Sequence, residues 1–222
     1  MKTTAKIFRF DPNKDAAPYF QDFEFEYEEG ENVLDALIQI QKTDTSLGFL
    51  YGCRDRHCGL CGVMLNGKAV LACKASAVPG MKIEPLKGMR VVKDLIIDRS
   101  EFSTQKASLR LFLERKKEAE QIPEKLLPAE YQDFKLASRC VECYCCTASC
   151  PVWLKQKHVF AGPASIILEA RHVFDGRDDA SRDFILRDLG IDACISCGAC
   201  TRACAHKIDP CALIKKLKDL SK

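Results

Sequence analysis

The feature that most constrains this chain is its cysteine content, 14 of 222 residues, which is far above the average for a globular protein. Cys211 stands apart, and the others form three runs: Cys53, Cys58, Cys61 and Cys73; Cys140, Cys143, Cys145, Cys146 and Cys150; Cys194, Cys197, Cys200 and Cys204. The first ten residues carry charge, and apolar and polar side chains alternate among them. They lack the apolar stretch and the cleavage site of a signal peptide. We therefore expect a cytoplasmic protein, where disulfides are rare and clustered thiols indicate metal or redox chemistry.

Charge and hydropathy exclude several classes of protein. The 34 basic and 31 acidic residues leave a formal net charge of +3, too balanced to favour nucleic acid as a partner. With 47% hydrophobic residues, the chain has enough apolar side chains for a core, which argues against intrinsic disorder. Its longest apolar runs, such as 95–97 and 166–168, fall far short of the roughly 20 residues that span a bilayer. The chain is not expected to cross a membrane by itself.

The residues before position 98 have the pattern of strands and turns. Apolar and acidic residues alternate at 23–28, which indicates a strand with one buried face, and an opening strand at 6–10 is expected to pair with it. The dipeptide Asn66-Gly67 predicts a tight hairpin, because it readily adopts the positive φ angles of a type I′ turn. A last strand at 81–85 completes the predicted sheet.

Helices are predicted from apolar spacing and from residues that cap or stop a helix. The signals are Asn32 before apolar positions 33, 34, 37 and 40; apolar positions 109, 112 and 113 followed by the charge run 114–120; Pro163; Gly190 after 184–189; and Asp209-Pro210 before apolar positions 213, 214, 217 and 220. All but the first lie after residue 98. We therefore predict an α+β protein, with a strand-rich domain at 1–98 and an all-α domain at 99–222.

The first cysteine run predicts a [2Fe-2S] site. Cys53, Cys58 and Cys61 have the spacing C-x4-C-x2-C, and Cys73 follows the hairpin, which is the plant-type pattern. Three ligands then come from one loop around the cluster and the fourth from a strand folded back beside it. The alternative is a zinc site built on the pair Cys58 and Cys61, although zinc ligands usually come as two pairs.

Other residues of this loop are expected to support the cluster rather than bind it. The glycines are expected to keep side chains away, so that backbone N–H groups approach the cluster sulfurs: Gly52, Gly59 and Gly62. His57 is expected to be no ligand, because a Rieske-type centre has two histidines in place of two cysteines, and four thiols are already present.

The second and third runs share the spacing C-x2-C-x2-C-x3-C, in which the fourth cysteine of each run binds the other cluster. This predicts two [4Fe-4S] clusters, one bound by Cys140, Cys143, Cys146 and Cys204, the other by Cys150, Cys194, Cys197 and Cys200. Two zinc ribbons are the alternative, but zinc does not need the fourth cysteine of each run. Cys145 and Cys211 are left over and are expected to be packed thiols, with Cys145 facing away from the cluster.

Three clusters in one chain predict an electron relay. The sequence contains no G-x-G-x-x-G fingerprint, no Walker loop and no nucleophile motif around a serine. We therefore predict no catalytic residue in this chain and expect the substrate chemistry in a partner that holds a flavin.

The order of these motifs resembles the iron–sulfur subunit of succinate dehydrogenase and fumarate reductase. The resemblance covers nearly the whole chain and is carried by KIFRFDP, VLDALIQIQ, YGCRDRHCGLCGVMLNGKAVLAC, CVECYCCTASCP, FAGPASIILEARHVFDGRD and CAHKIDP. It implies an N-terminal plant-type ferredoxin (β-grasp) domain and a C-terminal α-helical ferredoxin domain. It also implies a partner flavoprotein whose FAD interconverts fumarate and succinate, and a membrane anchor that handles quinone.

The chain departs from this family at several positions. Cys197 stands where most members have no cysteine and where the third cluster is commonly [3Fe-4S]; the extra thiol favours [4Fe-4S], with [3Fe-4S] as the alternative. The residues that mark ubiquinone-linked relatives are replaced at 152–155 and at Ile195. Both changes favour menaquinone or another low-potential partner over ubiquinone. Arg56 replaces a loop glycine, and Ala205 replaces the proline that usually follows Cys204.

The sequence therefore predicts an electron-transfer subunit of a succinate dehydrogenase or fumarate reductase type complex. Its expected partners are a flavoprotein catalytic subunit and a membrane anchor or other electron-exchanging subunit, with menaquinone as the expected quinone. Through these partners the chain is expected to lie at the inner face of the cell membrane. The alternative is an electron carrier or adaptor for another flavoprotein or a heterodisulfide-type reductase, whose thiol chemistry a separate subunit would supply.

Overall fold

A computed structural model describes residues 1–116, 118, 124 and 128–220. The chain forms two compact units. The first contains Met1–Arg99 together with Val141–Ser149, and the second contains Ser100–Cys140 together with Cys150–Lys222. The chain therefore leaves the first unit after Arg99 and returns to it for one short segment.

A five-stranded sheet forms the centre of the first unit, in the order β2-β1-β5-β3-β4. Its strands are β1 (Lys2–Arg9), β2 (Tyr19–Glu26), β3 (Gly62–Leu65), β4 (Lys68–Leu71) and β5 (Lys82–Glu84). β1 and β5 run parallel, and the other neighbours run antiparallel. The predicted strands form, and the hairpin turns at Asn66 and Gly67, whose φ angles are 46° and 80°. A second sheet pairs β6 (Val91–Lys93) with β7 (Ile96–Ile97).

One helix, α1 (Val33–Thr43), packs against β2 of this sheet. The side chain of Asn32 accepts a hydrogen bond from the N–H of Asp35 at 3.0 Å, and the carboxylate of Asp35 accepts one from the N–H of Asn32 at 3.4 Å. This reciprocal cap satisfies two N–H groups of the first turn. The four apolar positions of the predicted helix are all buried: Val33, Leu34, Leu37 and Ile40.

A buried arginine joins the loops at one end of this unit. Arg9, 6% exposed, donates from Nε to Asp94 at 3.1 Å and from one terminal nitrogen to Asp44 at 2.8 Å. The other terminal nitrogen donates to the hydroxyl of Ser46 at 2.7 Å. Asp94 also accepts from the N–H groups of Phe10 and Gly48. The buried charges of Arg9 and Asp94 are therefore paired and hydrogen-bonded, as burial of a charge requires.

The second unit is helical within the described residues. Its helices are α2 (Ser100–Ser108), α3 (Pro128–Ser138), α5 (Pro151–Lys155), α6 (Pro163–Val173), α7 (Asp183–Asp188), α8 (Ala199–Arg202) and α9 (Pro210–Leu220), with a 3-10 turn at Ile191–Ala193; α4 (Cys145–Ala148) belongs to the first unit. Pro163, Gly190 and Pro210 begin or follow their helices as predicted. On α9, the predicted apolar face is correct for residues 213, 214 and 217, but Leu220 is 64% exposed.

The helix predicted through 109–113 is wrong. α2 ends at Ser108, and residues 109–116 are not helical. Arg182, 3% exposed, explains the irregular path, because it donates to the carbonyls of Arg110 at 2.6 Å and Phe112 at 2.8 Å. Of the charge run 114–120, residues 114–116 and 118 are non-helical, and the others lie outside the described residues, as does Pro123.

The predicted α+β class is confirmed by the strand-rich N-terminal part and the helical C-terminal part. Trp153 is 2% exposed and stacks on Phe102 with ring centroids 6.0 Å apart. In the part of the chain that is described, no helix is long and apolar enough to cross a membrane.

Candidate cluster-binding sites

The first three cysteines of the first run occupy a loop that leads into β3, and Cys73 lies in the turn two residues after β4. The hairpin brings the two ends together: Gly62 pairs with Leu71, and the N–H of Ala72 donates to the carbonyl of Cys61 at 2.9 Å. Cys61 and Cys73 are buried, whereas Cys53 is exposed. Three thiols on a loop and one from the returning strand is the arrangement that the spacing predicts.

Backbone N–H groups of this loop point at its sulfur atoms. The Sγ of Cys53 accepts from Asp55 at 3.4 Å, from His57 at 3.1 Å and from Cys58 at 3.3 Å. The Sγ of Cys73 accepts from Arg56 at 3.2 Å, and that of Cys58 accepts from Cys53 at 3.5 Å. The non-glycine residues Arg54 and Arg56 adopt φ angles of 56° and 53°, which turn successive N–H groups inward. The loop thus provides donors that stabilise negative charge on sulfur.

The protein shifts the thiol pKa values of Cys53 and Cys61 in opposite directions. The N–H of Asp55 is the main cause that lowers the pKa of the Cys53 thiol, and the N–H groups of Cys58 and His57 add to it. Burial raises the pKa of Cys61 to about 12. The exposed thiol is therefore stabilised as a thiolate by the backbone, whereas the buried thiol needs a cation to become one.

Two of the loop glycines lie against the backbone of another segment of the chain. A Cβ on Gly59 would lie 2.2 Å from the carbonyl oxygen of Val141, and one on Gly62 would lie 3.0 Å from that of Cys143. These glycines therefore make room for the returning segment 141–149; that they also let N–H groups approach the cluster sulfurs stays a prediction. Gly52 fits the prediction better, since its Cβ would lie 3.4 Å from the Sγ of Cys58. The sequence offered no signal for a contact between residues about 80 positions apart.

His57 contributes its backbone rather than its ring. Its N–H donates to Cys53, while its imidazole is 70% exposed and lies 3.5 Å from the carboxylate of Asp55. The prediction that the ring is no ligand stays a prediction.

The returning segment contributes Cys143, Cys145 and Cys146 to the first unit. Cys145 is fully buried, as expected of a packed thiol, and that it faces away from the cluster stays a prediction. A hydrogen bond from the Cys145 thiol is the main cause that lowers the pKa of Cys143 to about 7; the N–H of Cys145 and the charge of Arg99 lower it further, against the effect of burial. Cys143 is thus prepared to bind metal as a thiolate.

The second unit brings together Cys150, Cys194, Cys197 and Cys200. Cys150 is the residue before the first turn of α5. Burial is the main cause that raises its pKa, and the nearby Cys194 and Cys197 add to it. Burial also raises the pKa of Cys200 to about 12, with contributions from Cys211, Cys194 and Cys150.

The remaining predicted ligands, Cys140 and Cys204, also belong to the second unit. Cys140 follows α3, and its carbonyl accepts from Arg171 at 2.7 Å; Cys204 follows α8. Their predicted companions Cys143 and Cys146 belong to the first unit, so this ligand set stays a prediction. The leftover Cys211 is buried, as expected of a packed thiol.

The chemistry of these sites fits polynuclear iron–sulfur clusters. Within the described residues, no group of three or more Cys, His, Asp or Glu side chains is placed to hold a single metal ion. In a [2Fe-2S] cluster each iron takes two of the four thiolates, and in a [4Fe-4S] cluster each iron takes one, so the ligands surround an inorganic core. The N–H groups directed at Cys53, Cys58 and Cys73 are the surroundings that such a core requires.

Comparison with known proteins agrees with this chemistry. Residues 4–104 match a family described as a 2Fe-2S iron–sulfur cluster binding domain, and residues 136–208 match one described as a 4Fe-4S dicluster domain. The chain is 36% identical to one of the subunits of the fumarate reductase (CoM/CoB) of Methanothermobacter marburgensis over 97% of its own length, which is 44% of that protein. It is 34% identical to the fumarate reductase iron–sulfur subunit of Mycobacterium tuberculosis, over 96% of this chain and 90% of that protein.

A solved structure shares the fold. The chain superimposes with a TM-score of 0.90 on a chain of the Mycobacterium smegmatis Sdh1 complex in the apo form, at 22% identity, over 99% of this chain and 95% of that one. The chain thus spans nearly all of two of these proteins and less than half of the third.

Proposed function

Because the chain belongs to the family of iron–sulfur subunits of succinate dehydrogenases and fumarate reductases, we propose that it relays electrons through three clusters between a flavoprotein and a second redox partner. The observation that carries the proposal is the loop around Cys53, in which five backbone N–H groups are directed at cysteine sulfurs. Such donors stabilise the charge that a cluster gains on reduction. When bound, the clusters supply one-electron chemistry.

The cysteines divide among three clusters in this proposal. The [2Fe-2S] cluster is held by Cys53, Cys58, Cys61 and Cys73; a [4Fe-4S] cluster by Cys140, Cys143, Cys146 and Cys204; and the third cluster by Cys150, Cys194, Cys197 and Cys200. The first belongs to a domain at 1–98 and the others to a domain at 99–222. Support for the third set comes from its mutual electrostatic influence: Cys150 is affected by Cys194 and Cys197, and Cys200 by Cys194 and Cys150.

The type of the third cluster depends on Cys197, which is exposed and can be replaced without opening a cavity. A [4Fe-4S] cluster gives about ten irons per chain, and a [3Fe-4S] cluster about nine. We expect about ten in the anaerobically purified protein and about nine in Cys197→Ala, together with the [3Fe-4S] signal in the EPR spectrum of the oxidised variant. That signal in the unsubstituted protein at full occupancy would show that Cys197 is no ligand.

The partners follow from the family and from the absence of substrate motifs in the sequence. We propose a flavoprotein subunit, where fumarate and succinate interconvert on FAD, and a membrane-anchor or other subunit that exchanges electrons with menaquinone or another low-potential partner. Such an assembly would hold the chain at the inner face of the cell membrane. The relay itself needs only the cysteine ligands, the N–H donors around them and the exclusion of water by the buried side chains.

Purification of the intact complex from its source tests this function. An affinity tag on this chain is expected to recover a flavin-containing subunit in equal amount, with fumarate reduction driven by a reduced menaquinone analogue. Iron and acid-labile sulfide are measured first, because a colourless, zinc-containing chain would contradict the proposed electron relay. Clusters without a flavoprotein partner would support the carrier or adaptor function instead.

A second candidate follows from the relative that carries CoM/CoB in its name, at 36% identity over 97% of this chain. In that case the second redox partner is a subunit that reacts with CoM and CoB, and no quinone is involved. The same purified complex distinguishes the two: fumarate reduction with CoM and CoB as donors, and none with the menaquinol analogue, would favour this candidate.

A further inference from the structure

Arg99 lies in the first unit between β7 and α2 and is anchored to the loop of the [2Fe-2S] site. Its terminal nitrogen donates to the carbonyl oxygens of Gly59 at 2.9 Å and Leu60 at 3.2 Å. Both carbonyls lie between the predicted ligands Cys58 and Cys61. The guanidinium group therefore places a positive charge directly on the stretch of backbone that carries two cluster ligands.

The same guanidinium group contacts the segment that carries Cys143. Its Cζ atom lies 5.5 Å from the ring centroid of Tyr144, within cation–π range. Tyr144 is 4% exposed and adopts a φ of 61°, which is uncommon for an aromatic residue and requires support from its surroundings. The guanidinium group over this ring is part of that support, and Tyr144 directly follows Cys143 in the chain.

No side chain separates the two ligand segments at this place. A Cβ on Gly59 would lie 3.1 Å from the N and 3.2 Å from the Cα of Cys143. The loop and the segment thus touch through their backbones, and Arg99 contacts both the loop and the segment. A half-buried cation here acts on a neighbouring redox centre much more strongly than a cation in water.

The sign of this effect follows from charge. One-electron reduction adds a negative charge, so a fixed positive charge stabilises the reduced state and raises the reduction potential. An arginine keeps its charge throughout the working pH range. We propose that Arg99 is a positioning residue that joins the [2Fe-2S] loop to the Cys143 segment and raises the reduction potential of the cluster proposed to bind Cys143, called the middle cluster below. This inference rests on the proposed function, because it requires a cluster bound by Cys143.

A purely structural role for Arg99 predicts a different outcome. If the side chain only ties the loop to the segment, any substitution that preserves folding leaves the potential unchanged. If its charge acts on the middle cluster, neutral substitutions lower the potential and a lysine at this position retains it. The potential of the middle cluster therefore separates the two roles.

The experiment is a potentiometric EPR titration of the purified complex with four variants. Arg99→Gln removes the charge and keeps a donor for the carbonyls, Arg99→Met removes both, and Arg99→Lys keeps the charge without the planar stacking group. Lys68→Met is the matched control, because it removes one positive charge from an exposed position at the start of β4. Iron content and the [2Fe-2S] signal are recorded for each protein.

We expect the ratio of reduced to oxidised middle cluster, at a fixed ambient potential, to fall about tenfold in Arg99→Gln and Arg99→Met, which for a one-electron couple is ~59 mV. In Arg99→Lys and Lys68→Met, this ratio is expected to stay close to that of the unsubstituted protein. Unchanged potentials in the neutral variants, or an equal shift in Arg99→Lys, would overturn the proposal. Loss of the middle cluster from both neutral variants would assign Arg99 a structural role and overturn it as well. Absence of iron from the unsubstituted protein would instead contradict the proposed function.

Discussion

The two units surround their cysteine sulfurs in opposite ways. In the first unit, the exposed Cys53 receives three backbone N–H groups from an irregular loop, and its thiol pKa is lowered. In the second unit, Cys200 is buried at the start of a short helix, and burial raises its thiol pKa to about 12. The loop therefore stabilises thiolate charge with backbone dipoles, whereas the helical site leaves that charge to be neutralised by iron.

This difference predicts unequal tolerance of serine in place of cysteine, which is the largest effect we expect. Cys200→Ser is expected to lose its cluster, about four irons of about ten, because a buried alkoxide lacks enough compensating donors. Cys53→Ser is expected to keep its two irons, since the same N–H groups can stabilise the smaller oxygen ligand. Iron and acid-labile sulfide analysis measures both.

The matched control for this pair is Cys211→Ala. Cys211 is a buried thiol that influences the pKa of Cys200 but belongs to no predicted ligand set. Full iron content is expected in this variant. Loss of about four irons from it, or equal losses from the two serine variants, would contradict the comparison.

The next effect concerns the backbone contact on which the loop of the first unit depends. Gly59→Ala would bring a Cβ to 2.2 Å from the carbonyl oxygen of Val141, at a residue whose φ is 68°. Because the neighbour is backbone, either the loop or the segment 141–149 has to move, and we expect loss of the [2Fe-2S] signal and a destabilisation above about 4 kcal/mol. Gly67→Ala, with a φ of 80° and open space around it, is the control and should cost only about 1 kcal/mol.

Thermal unfolding and the EPR signal of the reduced protein measure this pair. Equal losses of stability and of EPR signal in the two alanine variants would show that positive φ alone, and not the contact with Val141, makes Gly59 necessary.

A smaller effect is expected from the scaffold of the second unit, where Arg182 binds Glu169 and Asp178. Burial raises the pKa of Glu169, and the ion pair with Arg182 opposes that rise. Arg182→Met leaves Glu169, which is 0% exposed, as an uncompensated buried charge, so we expect a loss of about 3 kcal/mol with the clusters retained. Chemical unfolding of the single variant and of Arg182→Met/Glu169→Gln tests this, because the double variant should recover part of the loss. A double variant as unstable as the single one would assign the effect to the carbonyl contacts of Arg182 instead.

How much of this could be predicted from sequence depends on the distance along the chain between the interacting residues. The ligand runs, the Asn66-Gly67 hairpin and the cap at Asn32 are local patterns, and each was visible as spacing or as a turn or cap residue. The prediction that 109–113 is helical failed because Arg182, about 70 residues later, binds the carbonyls of Arg110 and Phe112. Apolar spacing cannot anticipate such a partner.

The candidate sites show the same limit. The sequence identified which cysteines are candidates, because wrapping a loop around a cluster constrains their spacing. It predicted backbone N–H groups near the cluster sulfurs but not which residues donate them at Cys53, because this depends on the positive φ angles of Arg54 and Arg56. Family resemblance treated Arg56 only as a departure from glycine, yet its N–H donates to Cys73 at 3.2 Å.

The smallest effect is a pH dependence of the first unit. The hydrogen bond from Ser46 and the ion pair with Arg9 lower the pKa of Asp44 from 3.8 to about 2. A carboxyl group whose pKa is lowered on folding stabilises the protein above its unfolded pKa, so this stabilisation is complete above about pH 4 and disappears as the pH falls through about 2. Allowing for solvent screening of a side chain that is 28% exposed, we expect about 1 kcal/mol. In urea unfolding between pH 5 and pH 2, the free energy of unfolding should depend less on pH in Asp44→Asn than in the unsubstituted protein. Identical slopes would mean that Asp94, the other carboxylate bound to Arg9, is sufficient to hold this end of the unit.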